Sequence, residues 1–192
     1  RFMKAGPTIY VDKDGIFVLD RGQIYRLRDL NHDGEADFYE NYAHDFGGYD
    51  RSHSHTFGLH RTADGSFHFT QRESILRTGK DRRTVEQGWG VRNCMGIGGS
   101  EDYFWVAPQE GTWTPTSAIL EVNQGEFYGL PGKGGKAGTI AAPLCFVPRG
   151  VDNSTGGMLE VTSKCWGPFH GDHLGFSYGA SQHYLILRDD TG

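Results

Sequence analysis

The sequence contains no stretch of about 18 apolar residues, so it encodes no helical membrane span. It has no basic stripe, and 19 Lys and Arg stand against 24 Asp and Glu, a net charge of -5. That balance excludes nucleic acid as the main partner, because phosphate neutralisation needs clustered cations. Cysteine is scarce: Cys94, Cys145 and Cys165 only, with no C-x-x-C and no C-x-x-C-H. A disulfide scaffold, a zinc ribbon and c-type haem attachment are therefore excluded. Cys145 and Cys165 are left as a pair that either bridges neighbouring strands or stays as two buried thiols. No window of 11 residues carries a helical hydrophobic period. The glycines follow no G-X-Y period, so the chain is not collagen-like.

What is present is glycine, 29 of 192 residues and about twice the usual share, together with 13% aromatics. Aromatics at this level with a small net charge exclude a disordered chain. The profile is that of an all-β protein with many tight turns. The start at Arg1 without a charged and apolar leader, and the turn-like Asp189-Asp190-Thr191-Gly192, read as the ends of a segment.

Period-two strands run through the chain. Residues 8–11, 16–19 and 23–27 form one set, separated by Asp-rich turns at Asp14-Gly15 and Asp20-Arg21-Gly22. Residues 57–60, 67–69 and 75–77 form a second, with a turn at Asp64-Gly65. A third comprises 95–97, 103–106 and 119–122, and a fourth 144–147, 158–161, 174–178 and 184–187. Ile24, Ile75 and Ile119 mark equivalent places in the first three sets, at steps near the 40–50 residues of a propeller blade. The fold expected is a β-propeller of four-stranded antiparallel blades, about four of them, cut from a larger ring. The blades span roughly 7–54, 55–93, 94–141 and 142–192. A β-sandwich of unrelated hairpins is the alternative.

Asp29-Leu30-Asn31-His32-Asp33-Gly34-Glu35-Ala36-Asp37-Phe38-Tyr39-Glu40 matches the spacing D-x-[DN]-x-[DN]-G-x5-E throughout. Calcium takes six to eight hard oxygens, which Asp29, Asn31, Asp33, the Glu35 carbonyl, Asp37 and Glu40 supply in number. The ion would be structural, relieving repulsion among four carboxylates. The other reading is a polar turn built on Asp33-Gly34.

A set of segments resembles a known family. His55-Thr56-Phe57-Gly58-Leu59 followed by Ala63-Asp64-Gly65 is similar to the H-x-x-G and P-D-G pattern of soluble quinoprotein glucose and aldose-sugar dehydrogenases. Gly90-Val91-Arg92-Asn93-Cys94-Met95-Gly96 resembles their G-x-R-N-P-x-G, and Gly125-Glu126-Phe127-Tyr128-Gly129-Leu130-Pro131 their G-x-N-Y-G-W-P. Over nearly its whole length the chain resembles the dehydrogenase-like propellers of large secreted planctomycete and verrucomicrobial proteins. The resemblance implies a periplasmic or extracellular sugar or alcohol dehydrogenase. His55 would be the base, with Arg92, Asn93 and Gly111 at pyrroloquinoline quinone. A sugar or polysaccharide, and a cytochrome or further propeller subunits, would be its partners. An imidazole suits proton abstraction at neutral pH, and a guanidinium suits the quinone's carboxylates. The sequence departs from the family at Ser54, where an Asp precedes the base, at Cys94, at Thr70-Gln71-Arg72-Glu73 and at Gly111-Thr112. These departures keep a second function open, a non-catalytic secreted propeller acting as scaffold, assembly or polysaccharide-binding module.

Weaker signals are His53 and His55 with His44 or His60 as a transition-metal set, and His170-Gly171-Asp172-His173. Trp89, Trp105, Trp113 and Trp166 serve either as sugar platforms or as blade core. Arg149 with Asp152 and Asn153 either lines a channel or closes a turn.

Overall fold

A computed structural model describes residues 8–47, 55–110, 116–131 and 136–188. Sixteen strands and a 3-10 helix, Lys164–Phe169, lie among them. The strands form four antiparallel sheets arranged as blades. In the first, β1 (Thr8–Asp12), β2 (Gly15–Asp20), β3 (Gln23–Arg28) and β4 (Phe38–Ala43) pair in sequence order. The second runs β5 (Thr56–Arg61), β6 (Phe67–Gln71), β7 (Ser74–Thr78) and β8 (Thr84–Trp89). A two-residue strand, β12 (Glu126–Phe127), is added parallel to β8. The third comprises β9 (Gly96–Gly99), β10 (Phe104–Ala107), β11 (Ser117–Glu121) and β13 (Cys145–Val147). The fourth contains β14 (Thr155–Glu160), β15 (His173–Ser177) and β16 (Gln182–Ile186). The expected all-β propeller of about four blades is what the chain forms.

The repeat has a physical meaning. Ile24, Ile75 and Ile119 each occupy the third strand of their sheet and are essentially fully buried. Three strands, β4, β8 and the two-residue β12, escaped the periodic reading. The start of β4 coincides with the end of the acidic loop, and β8, Thr84-Val85-Glu86-Gln87-Gly88-Trp89, is a polar outer strand with little apolar alternation. Cys145–Val147 pairs with β11 and so completes the third sheet, not the fourth. Cys165 lies within the 3-10 helix and not on a strand beside Cys145, and all three cysteines are free, so the Cys145–Cys165 bridge is not formed; both thiols are exposed and not buried.

Each pair of adjacent blades buries a separate core. Phe17, Phe67, Phe69 and Tyr42 meet between the first two sheets, with ring centroids of Phe17 and Phe67 4.7 Å apart. Ile97, Phe104, Val106 and Tyr128 fill the second interface, and Trp105, Ile119 and Met158 the third. Each fully buried large side chain contributes about 1.5–3 kcal/mol. Near the axis the innermost strands pack closely, glycine against side chain between β5 and β9 and against backbone between β9 and β14. A Cβ on Gly58 would lie 2.3 Å from Ile97 of β9, and one on Gly98 would lie 2.5 Å from the Met158 carbonyl of β14. The glycine of the His55–Gly58 motif thus has a packing reason to be there, independent of any chemistry.

Polar ties cross the same seams. Arg61 of β5 pairs with Asp12 at 2.6 Å and Asp14 at 2.7 Å in the first blade. Its guanidinium also lies over the rings of Phe17 and Phe67. Between the second and third blades the Ala63 amide donates to the Glu101 carbonyl at 2.8 Å.

Candidate functional site

The strands begin and end in register, so loops gather at two ends of the blades. At one end lie the start of β5, the β6–β7 turn, the end of β8, the start of β9 and the end of β10. His55, Arg92 and Asn93 all belong to this end. His55 precedes β5 and is exposed. Its carbonyl accepts the Arg72 amide at 3.3 Å and its ring tilts against Phe57, 5.3 Å away. Arg72 closes the β6–β7 turn with φ 58°, a left-handed conformation. Glu73 beside it accepts the amides of Gly90 at 2.8 Å and Val91 at 3.3 Å, which anchors the loop carrying Arg92 and Asn93.

That loop is further shaped from the third blade. The Gln109 amide donates to the Arg92 carbonyl at 2.9 Å, and Asn93 Nδ2 reaches Gln109 Oε1 at 3.5 Å. Arg92 Nη1 donates to the Glu110 carbonyl. Glu110 in turn pairs through Oε2 with Arg149 Nε at 2.9 Å. Asn93 holds φ at 41°, a strain of about 1–3 kcal/mol for a residue with a side chain. Arg149 is positioned by the turn after β13, where Asp152 is fully buried. Asp152 accepts the Ser154 amide at 2.9 Å and the Ser177 hydroxyl at 2.5 Å, and also the Thr155 hydroxyl. The structure therefore brings Arg92 and Asn93 together with Gln109, Glu110 and Arg149. The contacts of His55 are with Phe57 and Arg72. His53, Ser54, Trp113 and Gly111 lie outside the described residues. In the sequence Arg149 stands out only beside Asp152 and Asn153, with nothing to link it to Glu110. Their pairing is a contact across 39 residues, which no local pattern encodes.

The acidic loop lies at the opposite end, between β3 and β4. Asp29 accepts the amides of His32 at 2.6 Å and Gly34 at 2.9 Å, and the Gly34 amide holds the Asp29 carboxyl below its ordinary pKa. Asp37 accepts the amides of Leu30 and Asn31, and Asp33 that of Glu35. Asn31 Nδ2 donates to Asp33 at 3.0 Å. Glu40 is directed elsewhere: it lies in β4 and pairs with Arg82 at 2.8 Å and Arg28 at 3.6 Å. The oxygen types suit calcium, but in this arrangement the carboxylates are satisfied by the loop's own amides and Glu40 by two arginines. Among the described residues no three His, Cys, Asp or Glu side chains form a metal-holding group.

Three further histidines, His60, His68 and His173, are structural. His68 lies between Thr62 Oγ1 at 2.9 Å and Gln87 Oε1 at 2.8 Å, and burial pushes its pKa down to about 4. Burial also lowers His60, which contacts the Ser100 carbonyl at 2.7 Å, and His173, which contacts the Tyr103 hydroxyl at 3.1 Å. Trp105 is buried against Tyr103 and His173 and is blade core, while the face of Trp89 is covered by the Lys136 ammonium.

Four radial antiparallel sheets whose innermost strands pack in chain order define a β-propeller. Solved structures then place it within that class. The chain shares its fold with the quinone-bound aldose sugar dehydrogenase of Streptomyces coelicolor, at TM-score 0.62 and 14% identity over 92% of this chain and 58% of that one. It aligns with a glucose dehydrogenase at TM-score 0.64 and 12% identity, covering 95% and 64% of the two chains. For the soluble aldose sugar dehydrogenase of Escherichia coli, in its apo form, the values are 0.51 and 15%, covering 96% and 67%. The chain thus spans about three fifths of the length of the first two. No family model matches the chain. No curated protein matches it either. The fold is that of sugar-dehydrogenase propellers, as the motifs at 55–59 and 90–96 led us to expect. Among the described residues no helix is long and apolar enough to cross a membrane.

Proposed function

We propose that the chain is the catalytic part of an extracytoplasmic propeller that oxidises a hydroxyl of a sugar, a polysaccharide end or another alcohol. The observation that supports this most is the gathering of Arg92, Asn93, Glu110 and Arg149 at the blade end that also carries His55. In this reading an imidazole nitrogen of His55 takes the hydroxyl proton, its exposure leaving it open to substrate. Arg92 and Arg149 would hold the carboxylates of pyrroloquinoline quinone, and Asn93 would offer it an amide donor. Gly111 joins the set through the family resemblance. When bound, the quinone supplies the hydride-accepting chemistry, and a cytochrome or other propeller subunit receives the electrons. Calcium in the loop of Asp29, Asn31, Asp33, Glu35, Asp37 and Glu40 is proposed as a structural ion, and Glu40 must exchange its arginine partners to reach it.

A second reading, a non-catalytic secreted scaffold or polysaccharide-binding module, is favoured by one observation. Gln71, in the segment that departs from the family's acidic loop, is bound to the carbonyls of Arg21 at 2.6 Å and Gly47 at 3.0 Å. It ties blades together where the family pattern has an acidic loop. Reconstitution with the quinone and calcium separates the two readings. The catalytic reading expects dye-linked glucose or alcohol oxidation that His55→Ala lowers by about 10²–10⁴-fold while quinone binding, read by absorbance, is retained. Absence of quinone binding by the wild-type chain would sink the catalytic reading in favour of the second.

A further inference from the structure

The seam between the first two sheets is filled with apolar side chains over only part of its extent. Register places Ser74 opposite Trp89 and Leu76 opposite Glu86, so these four side chains share one face of the second sheet. Leu76 belongs to the core of the seam, and Phe46 packs against that core with its ring 4.8 Å from Phe69. Beyond them a cavity of about 330 Å³ opens, with Phe46 and Leu76 as its apolar wall. Two ion pairs also line it: Arg72 with Glu73 at 3.9 Å, and Lys136 with Glu86. Glu86 accepts the Ser74 hydroxyl as well, at 2.7 Å. Trp89 lines the same cavity, its ring held by Phe127, 5.9 Å away, and by the Lys136 ammonium, 3.9 Å from the ring centre. The Trp89 indole nitrogen is buried and, among the described residues, has no hydrogen-bond partner. Buried indole N–H groups ordinarily have one, so this donor calls for an acceptor.

We propose that this cavity binds one neutral hexose residue of a glycan, at a site separate from the oxidation proposed at His55. Size sets the first limit. A cavity of about 150 Å³ takes the six carbons of benzene, so about 330 Å³ takes about 13 non-hydrogen atoms, the size of one hexose. The polar lining sets the second. A sugar hydroxyl donates and accepts at once, and each ion pair sets a cationic donor beside a carboxylate acceptor. One hydroxyl can therefore engage both members of a pair without separating them. The Trp89 N–H supplies a further donor to a sugar oxygen, while Phe46 and Leu76 suit the C–H face of a pyranose ring. Charge sets the third limit, because two cations stand against two carboxylates. A uronic acid would compete with Glu73 and Glu86 for their cations, and an amino sugar would compete with Arg72 and Lys136 for their carboxylates. The cavity adjoins the candidate site through one turn. The Arg72 amide donates to the His55 carbonyl, and the Glu73 carbonyl holds the loop of Arg92. The inference needs no quinone and holds under either reading of the function.

Isothermal titration of the chain with the methyl glycosides of glucose, galactose and mannose, without quinone, tests the site. At least one should bind, about fivefold or more tightly than the corresponding uronic acid and amino sugar. Trp89→Phe keeps an aromatic ring, removes the N–H and should weaken binding about 3–10-fold. Lys136→Ala, at a half-exposed side chain, should weaken it by a similar factor and shift Tm by less than about 2 °C. It keeps the test decisive if the Trp89 variant fails to fold. Absence of binding by all three neutral glycosides overturns the proposal, as does equal or tighter binding of a charged sugar. Full affinity in either folded variant overturns it too. Binding that survives both substitutions but is lost in Arg92→Ala moves the sugar to the candidate site, which removes this second site and leaves the proposed oxidation standing.

Discussion

Replacing Gly98 by Ala tests whether close backbone approach holds the third and fourth blades together. Gly98 lies on β9 with its α-carbon facing β14, and its φ is outside the left-handed region, so alanine meets no dihedral strain there. Space is the obstacle. The new methyl would lie 2.5 Å from the Met158 carbonyl oxygen, 2.7 Å from its Cβ and 2.8 Å from its carbonyl carbon. Two of these three atoms are backbone, so no rotamer change relieves the clash and the seam must open. Overpacking of this kind costs about 1–3 kcal/mol. Against it stands a gain of about 0.5–1 kcal/mol from replacing glycine inside a strand. The net is a loss of about 1–2 kcal/mol, or roughly 2–8 °C in Tm for a chain of this length. Gly157, on β14 itself, is the matched control: nothing lies within 4 Å of its Cβ position. Gly157→Ala should be neutral or stabilising by about 0.4–1 kcal/mol, through the unfolded chain alone. Urea unfolding followed by tryptophan fluorescence reads both, with unchanged m-values expected. A Gly98→Ala midpoint equal to or above that of Gly157→Ala would refute close approach as the reason for glycine on this strand.

Acid should destabilise the fold through the buried histidines. His68 titrates near 4 when folded against 6.5 in the unfolded chain, so its contribution of about 3 kcal/mol is fully present above pH 6.5 and lost as pH falls toward 4. His68→Gln should flatten urea stability over that window, and a slope identical to wild type would assign the effect elsewhere. Arg61→Ala removes both the Asp12–Asp14 ion pairs and the contact with Phe17 and Phe67, and is expected to cost about 1–3 kcal/mol. Arg61→Lys should recover only part of it, because an ammonium lacks the planar fork, and full recovery in thermal melts would contradict that account. Calcium should raise Tm in a manner that Asp29→Ala removes; a rise that survives the substitution places the ion elsewhere in the molecule.

Much of the architecture was legible in the chain. The strand triplets around Asp14-Gly15 and Asp64-Gly65 carry alternating apolar residues beside turn chemistry, both local signals, and they lie where the pattern put them. Ile24, Ile75 and Ile119 revealed the blade repeat because each of the first three blades buries this position of its third strand. Strand β8 was not legible, since an outer strand needs no apolar face. The pairing of β13 with β11 was misplaced because 23 residues intervene between the two strands.

The sequence by itself determined the all-β class, the turns, the blade period and the residue types of the candidate site, because these depend on neighbours a few positions apart. Only the tertiary structure decided which of them meet. It joined Arg92 to Glu110 and Glu110 to Arg149, turned Glu40 from the acidic loop toward Arg28 and Arg82, and kept Cys145 apart from Cys165. It also gave Gly58 and Gly98 their role, since a missing Cβ matters only where a neighbouring blade arrives to fill its place, the Ile97 side chain at Gly58 and the Met158 backbone at Gly98. Such contacts follow from the angle at which blades pack around an axis, and no window of sequence contains that angle.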